Sequence, residues 1–220
     1  QINEDRKAPN IILSLKEGKD IALVSDAGTP LISDPGYKFI KHARESNIKV
    51  EPVPGCCALI AAITSSGLPS DRFSFHGFLP RSATKRINEL KKISDNEETL
   101  IFYESVHRIQ STIEDMISVF GGNRPAVLCK EITKIHESFI GETLSDISIF
   151  FKKNEDKIKG EFTVVVQGSS AIEGIGEELD RVLRILMGEL SLKKAVEIAS
   201  KITKHSKSKI YDRALKIKNQ

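Results

Sequence analysis

The chain has 220 residues, of which 40% are hydrophobic, and these values suit one large domain or two small ones. No apolar run reaches the roughly 18 residues of a membrane-spanning helix, and no secretion signal opens the chain. The three cysteines fall outside any CxxC or Cys/His pattern, which argues against a disulfide framework and against a structural metal site. We therefore expect a protein of the reducing cytoplasm without a metal ion.

The net charge of +3 is unevenly distributed along the chain. Residues 201–220 hold seven Lys or Arg and one acid, so positive charge is concentrated at the carboxyl end. Such an end suits a polyanionic partner such as nucleic acid, although a solvated helical tail has the same composition.

Residues 1–70 alternate short apolar runs with helical stretches. Helices are predicted over 9–17, 37–46 and 56–66, and strands over 21–24 and 49–53. Strands that alternate with helices favour a parallel sheet covered by helices. Turn residues cluster at 69–71, where we predict a domain boundary.

Residues 71–168 are predicted to form a second α/β domain, in which two strands lie close enough for a hairpin. The predicted strands are 73–78, 99–103, 126–132, 135–140 and 162–166, and the predicted helices are 82–94, 105–120 and 143–153. After Gly168 the composition shifts, and helices are predicted over 175–188, 191–203 and 206–218. Residues 169–220 therefore read as a small, basic, helix–turn–helix domain.

Two turns are candidate ligand loops. SDAGTP at 25–30 follows an apolar run, and its glycine would let a ligand approach the backbone closely. PVPGCCALIAA, from Pro52, places a turn before a helix of small residues, whose first N–H groups are free to bind a ligand. An ordinary tight turn and a closely packed helix are the alternatives. GxGxxG, GxxxxGK[ST] and GxSxG are all absent, which argues against dinucleotide-binding, P-loop and nucleophile-elbow proteins.

Two further segments are dense in ionisable residues at predicted strand ends. They are FYESVHR at 102–108 and KEITKIHE at 130–137. A charged rim of satisfied pairs is the alternative to a site, and we expect His76 and His107 to be structural.

These segments, with GEFTVVV at 160–166, occur in the order and spacing of a known family. The chain resembles the RsmI-type 16S rRNA (cytidine-2′-O)-methyltransferases of the tetrapyrrole-methylase superfamily, over residues 5–168. LSLKKAVEIASK and KSKIYDRAL resemble the family's helical C-terminal domain. The family begins with a strand and a glycine-containing turn that have no counterpart here, so we expect a partial first domain.

The resemblance implies a tetrapyrrole-methylase fold: two α/β domains with S-adenosylmethionine in the cleft between them. It also implies a homodimer that methylates a cytidine ribose in the decoding centre, within the small ribosomal subunit. The implied cofactor residues come from four segments: Asp26, Ala27, Gly28 and Thr29; Pro54, Gly55, Cys56 and Cys57; Tyr103; and Glu161, Phe162 and Thr163.

A ribose hydroxyl is a weak acid, so a group must accept its proton during attack. The candidates are Glu104, Glu131 and a Lys134 whose pKa would be lowered by desolvation. Arginine matches phosphate geometry, and lysines attract phosphates, so these residues are the RNA-binding candidates. They are Arg81, Arg86, Arg108, Lys204, Lys207 and Lys209.

Two other functions fit the same residues less well. The first is a methylase of a tetrapyrrole or a diphthine precursor, which would have no evident use for a basic tail. The second is a non-catalytic RNA-binding assembly factor, which would not bind the cofactor.

Overall fold

The computed structural model describes residues 4–154, 158–169, 177–203 and 207–218. The helices in these ranges are α1 (Glu4–Lys16), α2 (Tyr37–Glu45), α3 (Ala58–Ser66), α4 (Ala83–Lys92), α5 (Ile109–Phe120), α6 (Leu144–Lys153), α7 (Glu177–Glu189), α8 (Leu192–Thr203) and α9 (Lys207–Lys218). The strands are β1 (Phe73–Phe78), β2 (Thr99–Glu104), β3 (Ala126–Lys130), β4 (Ser138–Ile140) and β5 (Phe162–Val166).

The strands form one mixed sheet in the order β1-β2-β5-β3-β4. β1 pairs with β2 in parallel, and β5 is antiparallel to both β2 and β3. β1, β2 and β3 therefore run in the same direction, and their carboxyl ends share one sheet edge with the amino end of β5. β3 and β4 form the predicted antiparallel hairpin.

The two faces of the sheet are covered by different helices, as the period of two along each strand requires. Leu100 and Phe102 face a core that α4, α5 and α6 complete, whereas Ile101 and Tyr103 face α3. α6 begins at a capping box in which Thr143 and Asp146 bond reciprocally. α3 precedes the boundary predicted at 69–71 yet packs on the sheet that follows it.

β1 contains a bulge that changes which face its last residue occupies. Phe75 pairs with Ile101 and Phe78 with Tyr103, so three steps along β1 match two along β2. The extra residue turns Phe78 to the face that carries Phe75. Gly77 takes φ +60 in the bulge, a conformation that favours glycine.

The two strands predicted in residues 1–70 are wrong. Residues 21–24 and 49–53 lie outside any strand, and Val24 and Val53 are 79% and 88% exposed. A strand is stabilised by hydrogen bonds to a neighbour, and neither segment pairs with any described residue. The α1 helix also differs from its prediction, since it starts at Glu4 and contains Pro9.

The three helices predicted after Gly168 are present, and they form a small core of their own. Leu183 of α7, Ala199 of α8 and Ile210 of α9 are fully buried in it. Arg213 on α9 donates two hydrogen bonds to Asp180 on α7, at 2.6 and 2.5 Å. A bidentate pair of this kind fixes the orientation of α9 against α7.

Candidate cofactor and substrate site

Four strand ends converge at one edge of the sheet. Phe78 and Tyr103 lie at the carboxyl ends of β1 and β2. Glu131 directly follows β3, and Glu161 directly precedes β5. Ligands in open α/β sheets bind beyond the carboxyl ends of the strands. The ionisable segments 102–108 and 130–137 therefore meet at the edge where a ligand would be expected.

The structure brings the two predicted cofactor loops together. The Thr29 hydroxyl donates to the Cys56 carbonyl at 2.9 Å, although these residues are 27 positions apart. Gly28 has φ +72, and a Cβ there would lie 3.7 Å from the same carbonyl. The Ser25 hydroxyl closes the first loop by donating to the Gly28 carbonyl at 2.9 Å.

Most of the residues in these loops face solvent. Those exposed are Asp26, Ala27, Gly28, Pro54, Gly55 and Cys56, whereas Thr29 and Cys57 are half-buried. The Asp26 carboxylate forms no hydrogen bond or ion pair with any residue that the structure describes. It is therefore available to accept hydrogen bonds from a ligand.

Tyr103 connects the second loop to the sheet. Its hydroxyl accepts a hydrogen bond from the Leu59 backbone N–H at 3.1 Å, in the first turn of α3. Its ring contacts Phe75 edge-on, with centroids 4.8 Å apart. Burial, followed by the nearby Cys57 thiol, raises the pKa of Tyr103 to about 12, so the hydroxyl stays protonated at neutral pH.

The three cofactor residues predicted at β5 have different surroundings. Thr163 pairs with Tyr103 and lies, almost fully buried, on the same sheet face. The Phe162 side chain points to the opposite face, where its ring lies 6.3 Å from that of Phe151. Alternation along the strand directs this side chain away from α3 and into the hydrophobic core. This position argues against a contact between Phe162 and the cofactor. Glu161 is exposed and paired with Lys134.

Glu104 is a buried structural carboxylate in this structure. Oε1 accepts the Ser105 N–H at 2.7 Å and pairs with Arg108 at 2.6 Å. Oε2 accepts the Thr112 hydroxyl at 2.7 Å. Both oxygens are thus occupied in the core below α5, which argues against Glu104 as the base.

Lys134 lies between two carboxylates at the end of β3. Its Nζ is 3.0 Å from Glu131 Oε1 and 2.9 Å from Glu161 Oε2. Hydrogen bonds to Glu161 and then Glu131 raise the pKa of Lys134, which is opposite to the shift that a general base requires. The Glu161 backbone N–H and Lys134 in turn lower the pKa of Glu131.

Two of the three arginines predicted to bind phosphate hold protein groups instead. Arg86 is buried and pairs with Asp115 at 2.6 Å. Arg108 pairs with Glu104 and donates to the Leu79 carbonyl at 3.0 Å. The Arg81 side chain is exposed and forms no hydrogen bond or ion pair with a described residue, so it alone of the three guanidinium groups is available to a ligand.

The other predicted residues are placed as follows. Lys207 is exposed on α9. Lys209 belongs to the same helix, but its side chain is not among those that the structure describes. Lys204 lies outside the described residues. The half-buried His76 ring stacks on Phe102 at 5.2 Å, and burial lowers its pKa, in agreement with a structural role. Phe78 was missed by the sequence patterns, since only the bulge places it beside Tyr103.

Other kinds of site find no support in the part of the chain that the structure covers. Within the described ranges, no three His, Cys, Asp or Glu side chains are grouped so as to hold a metal ion. Of the helices described, none is long and apolar enough to span a membrane. Cys56, Cys57 and Cys129 are free thiols.

Two family models match the chain. Residues 2–148 match the tetrapyrrole (corrin/porphyrin) methylases, and residues 173–218 match the RsmI C-terminal HTH domain. The ribosomal RNA small subunit methyltransferase I of Pseudomonas aeruginosa is 45% identical, over 97% of this chain and 77% of its own length. The protein of the same name from Escherichia coli O157:H7 is 44% identical, over 97% of this chain and 75% of its own length.

Solved structures agree on the fold. A cobalt precorrin-4 methyltransferase has a TM-score of 0.53 at 15% identity, covering 74% of this chain and 70% of its own. A diphthine synthase has a TM-score of 0.54 at 17% identity, covering 75% and 66%. The predicted tetrapyrrole-methylase fold, with helices after the methylase part, is confirmed. This chain belongs to the tetrapyrrole methylase family and, within it, to the family of ribosomal RNA small subunit methyltransferase I.

Proposed function

We propose that this protein transfers a methyl group from S-adenosylmethionine to the ribose 2′-hydroxyl of a cytidine in the decoding centre of 16S rRNA. The observation that carries the proposal is the 44–45% identity, over 97% of the chain, to proteins named ribosomal RNA small subunit methyltransferase I. The substrate is the small ribosomal subunit, the location is the cytoplasm, and the working form is a homodimer.

The residues of the two joined loops fit the proposed cofactor. Asp26 offers an unpaired carboxylate that can accept hydrogen bonds from amine or hydroxyl groups of the cofactor. Because Gly28 has no side chain, the cofactor can approach the backbone beside Asp26. α3 adds the small side chains of Ala58 and Ala61, on which a flat purine can lie. When bound, S-adenosylmethionine supplies an electrophilic methyl group, and the protein's task is to hold the ribose oxygen in line with it.

The ionisable residues act by positioning. Lys134, held as an ammonium by Glu131 and Glu161, fixes the loop after β3 against the start of β5. Glu104 fixes the start of α5 through Ser105 and Thr112. A rigid edge of this kind reduces the entropy lost when the nucleotide is aligned.

Two measurements test the proposed function. Calorimetric titration should show S-adenosylmethionine binding to the chain, and tritium from labelled cofactor should appear in 16S rRNA of unmodified small subunits. Resistance of the product to alkaline cleavage would locate the methyl group on a 2′-oxygen. RNA binding without cofactor binding would instead support the assembly-factor alternative, and transfer to a tetrapyrrole or a diphthine precursor but not to subunits would support the small-molecule methylases.

A further inference from the structure

We propose that Phe78 and Arg81 form the docking platform for the target nucleotide, with the base against the Phe78 ring and a phosphate on the Arg81 guanidinium. The proposal rests on the proposed function and adds to it the residues that hold the nucleotide. It assigns a role to Phe78, an exposed aromatic residue that the core does not require.

The β1 bulge is the first observation. It places Phe78 opposite Tyr103, with ring centroids 5.8 Å apart and an interplanar angle of 63°. Phe78 is nevertheless 55% exposed, so much of its ring surface faces outward at the carboxyl end of β1. Bulges occur frequently beside active sites, where they redirect a side chain. Without the extra residue in β1, Phe78 would lie on the opposite face of the sheet.

The position of the bulge relative to the cofactor loops is the second observation. The Ser33 hydroxyl lies 3.5 Å from the point where a Cβ on Gly77 would be. Ser33 belongs to the turn-rich segment that begins with the Asp26 loop, and Tyr103 contacts the second loop through Leu59. Phe78 thus directly follows a residue that approaches the first segment, and its ring lies against Tyr103, which binds the second.

The segment after Phe78 is held by two arginines, the buried Arg86 and the half-buried Arg108, which is the third observation. Arg108 donates to the carbonyl of Leu79, and Arg86 donates to the carbonyls of Pro80 and Arg81 at 3.5 and 3.4 Å. Three successive carbonyls are thus fixed by guanidinium groups that are themselves paired with Glu104 and Asp115. The backbone from which the exposed Arg81 side chain extends is therefore fixed before any ligand binds.

The combination of these side chains indicates a nucleotide. Unpaired RNA bases stack on aromatic side chains, and arginine forks match phosphate oxygens. An exposed ring and an unpaired guanidinium three residues apart offer one group for each part of a nucleotide. A rigid platform also lowers the ordering cost of binding.

The experiment compares variants of the full chain in methyl transfer to unmodified small subunits with tritiated S-adenosylmethionine. Phe78→Ala should raise KM for subunits by roughly 10-fold or more, since one base stack is worth a factor of that order, while cofactor affinity by calorimetry is unchanged. Phe78→Trp should retain most of the activity because it keeps a ring. Arg81→Gln should weaken subunit binding and reduce its salt slope by about one.

Matched controls lie at the other end of the same strand. Phe73 is also exposed, at 38%, and the preceding residue, Arg72, is exposed as well. Phe73→Ala and Arg72→Gln should leave KM and the salt slope at the native values. If kcat/KM fell equally in the Phe73 and Phe78 variants, the proposal would be overturned, because the loss would then reflect a general weakening of β1.

The remaining outcomes distinguish a failure of the Phe78–Arg81 platform from a failure of the proposed function. If the native chain methylates subunits and Phe78→Ala does so with native KM, the platform is wrong and the proposed function stands. If the native chain neither binds nor methylates subunits, the proposed function fails and the platform fails with it. Native folding of each variant is checked by its thermal unfolding midpoint.

Discussion

At the scale of single residues, ionisation state decides which side chains can do chemistry. The sequence predicts Lys134 as a base only if desolvation lowers its pKa. The structure places it 45% exposed between two carboxylates, which raise its pKa. A group with a raised pKa stays charged until the pH exceeds that value, so Lys134 has no free lone pair near neutral pH.

Lys134→Arg should therefore keep methyl transfer within a few-fold of native, because arginine preserves the ion pairs but cannot act as a base. Lys134→Gln should leave the alkaline limb of the pH–rate profile where it is, and reduce stability by at most about 1 kcal/mol, as exposed pairs contribute little. Rates of methyl transfer measured from about pH 6 to about pH 10 check this prediction. Loss of all turnover in Lys134→Arg, in a folded protein, would restore Lys134 as the base.

Glu104 illustrates the opposite case, in which a carboxylate is removed from solvent. Glu104→Gln should destabilise the fold by roughly 3 kcal/mol, since it leaves Arg108 without its charged partner in a largely buried setting. The midpoint of urea unfolding measures the change. Glu142→Gln, at an exposed glutamate, is the control and should leave the midpoint unchanged. Native stability combined with abolished turnover in Glu104→Gln would argue for a direct chemical role.

At the scale of elements, hydrogen bonds between distant segments hold the start of α3. The Tyr103 hydroxyl binds the Leu59 N–H, and the Thr29 hydroxyl binds the Cys56 carbonyl. The loop that leads into α3 is therefore attached to the sheet on one side and to the Asp26 loop on the other. Its position depends on both contacts, because the loop itself has no regular structure.

Tyr103→Phe should weaken cofactor binding several-fold and lower stability by about 1 kcal/mol, the usual value of one hydrogen bond. Thr29→Val should weaken cofactor binding similarly, and the double variant should lose less than the sum, because both bonds fix the same loop. Calorimetry on the four proteins gives the coupling. Strict additivity, or native affinity in Tyr103→Phe, would contradict a shared role in positioning the loop.

At the scale of the whole molecule, the α/β part and the basic helices have different tasks in the proposed function. The α/β part carries the candidate site, whereas α9 exposes Lys207, Lys216 and Lys218. The Asp180–Arg213 pair fixes α9 against α7, so these lysines are presented on an ordered helix. Phosphate contacts made in this way contribute affinity that depends steeply on salt.

Replacing Lys207, Lys216 and Lys218 by Gln should reduce the affinity for small subunits and lower the salt slope by about one for each phosphate contact that is lost. Affinity for S-adenosylmethionine should not change, because these lysines lie on α9, which packs in a core separate from the sheet. Filter binding at several salt concentrations provides the measurement. An unchanged slope would remove the α9 lysines from the RNA surface.

The sequence by itself determined the order of elements wherever a local pattern sufficed. The alternation at 73–78 and the apolar run at 162–166 predicted β1 and β5 to the residue. The family was identified from five segments in order, at 25–30, 52–62, 102–108, 130–137 and 160–166. Hydrophobic period and turn residues act over a few positions, so they can be read along one chain. The strands predicted at 21–24 and 49–53 failed because strand formation needs a partner that no local pattern supplies.

Only the tertiary structure decided which of the candidate side chains are available for function. Arg81, Arg86 and Arg108 are equivalent in the sequence, yet two are held by Asp115 and Glu104, and Arg81 is left exposed. The pKa of Lys134 is likewise set partly by Glu161, 27 residues away, and the direction of Phe78 by a bulge in the pairing of β1 with β2. Burial, pairing and protonation arise from contacts between residues distant along the chain, which is why the sequence identified the candidates and the fold selected among them.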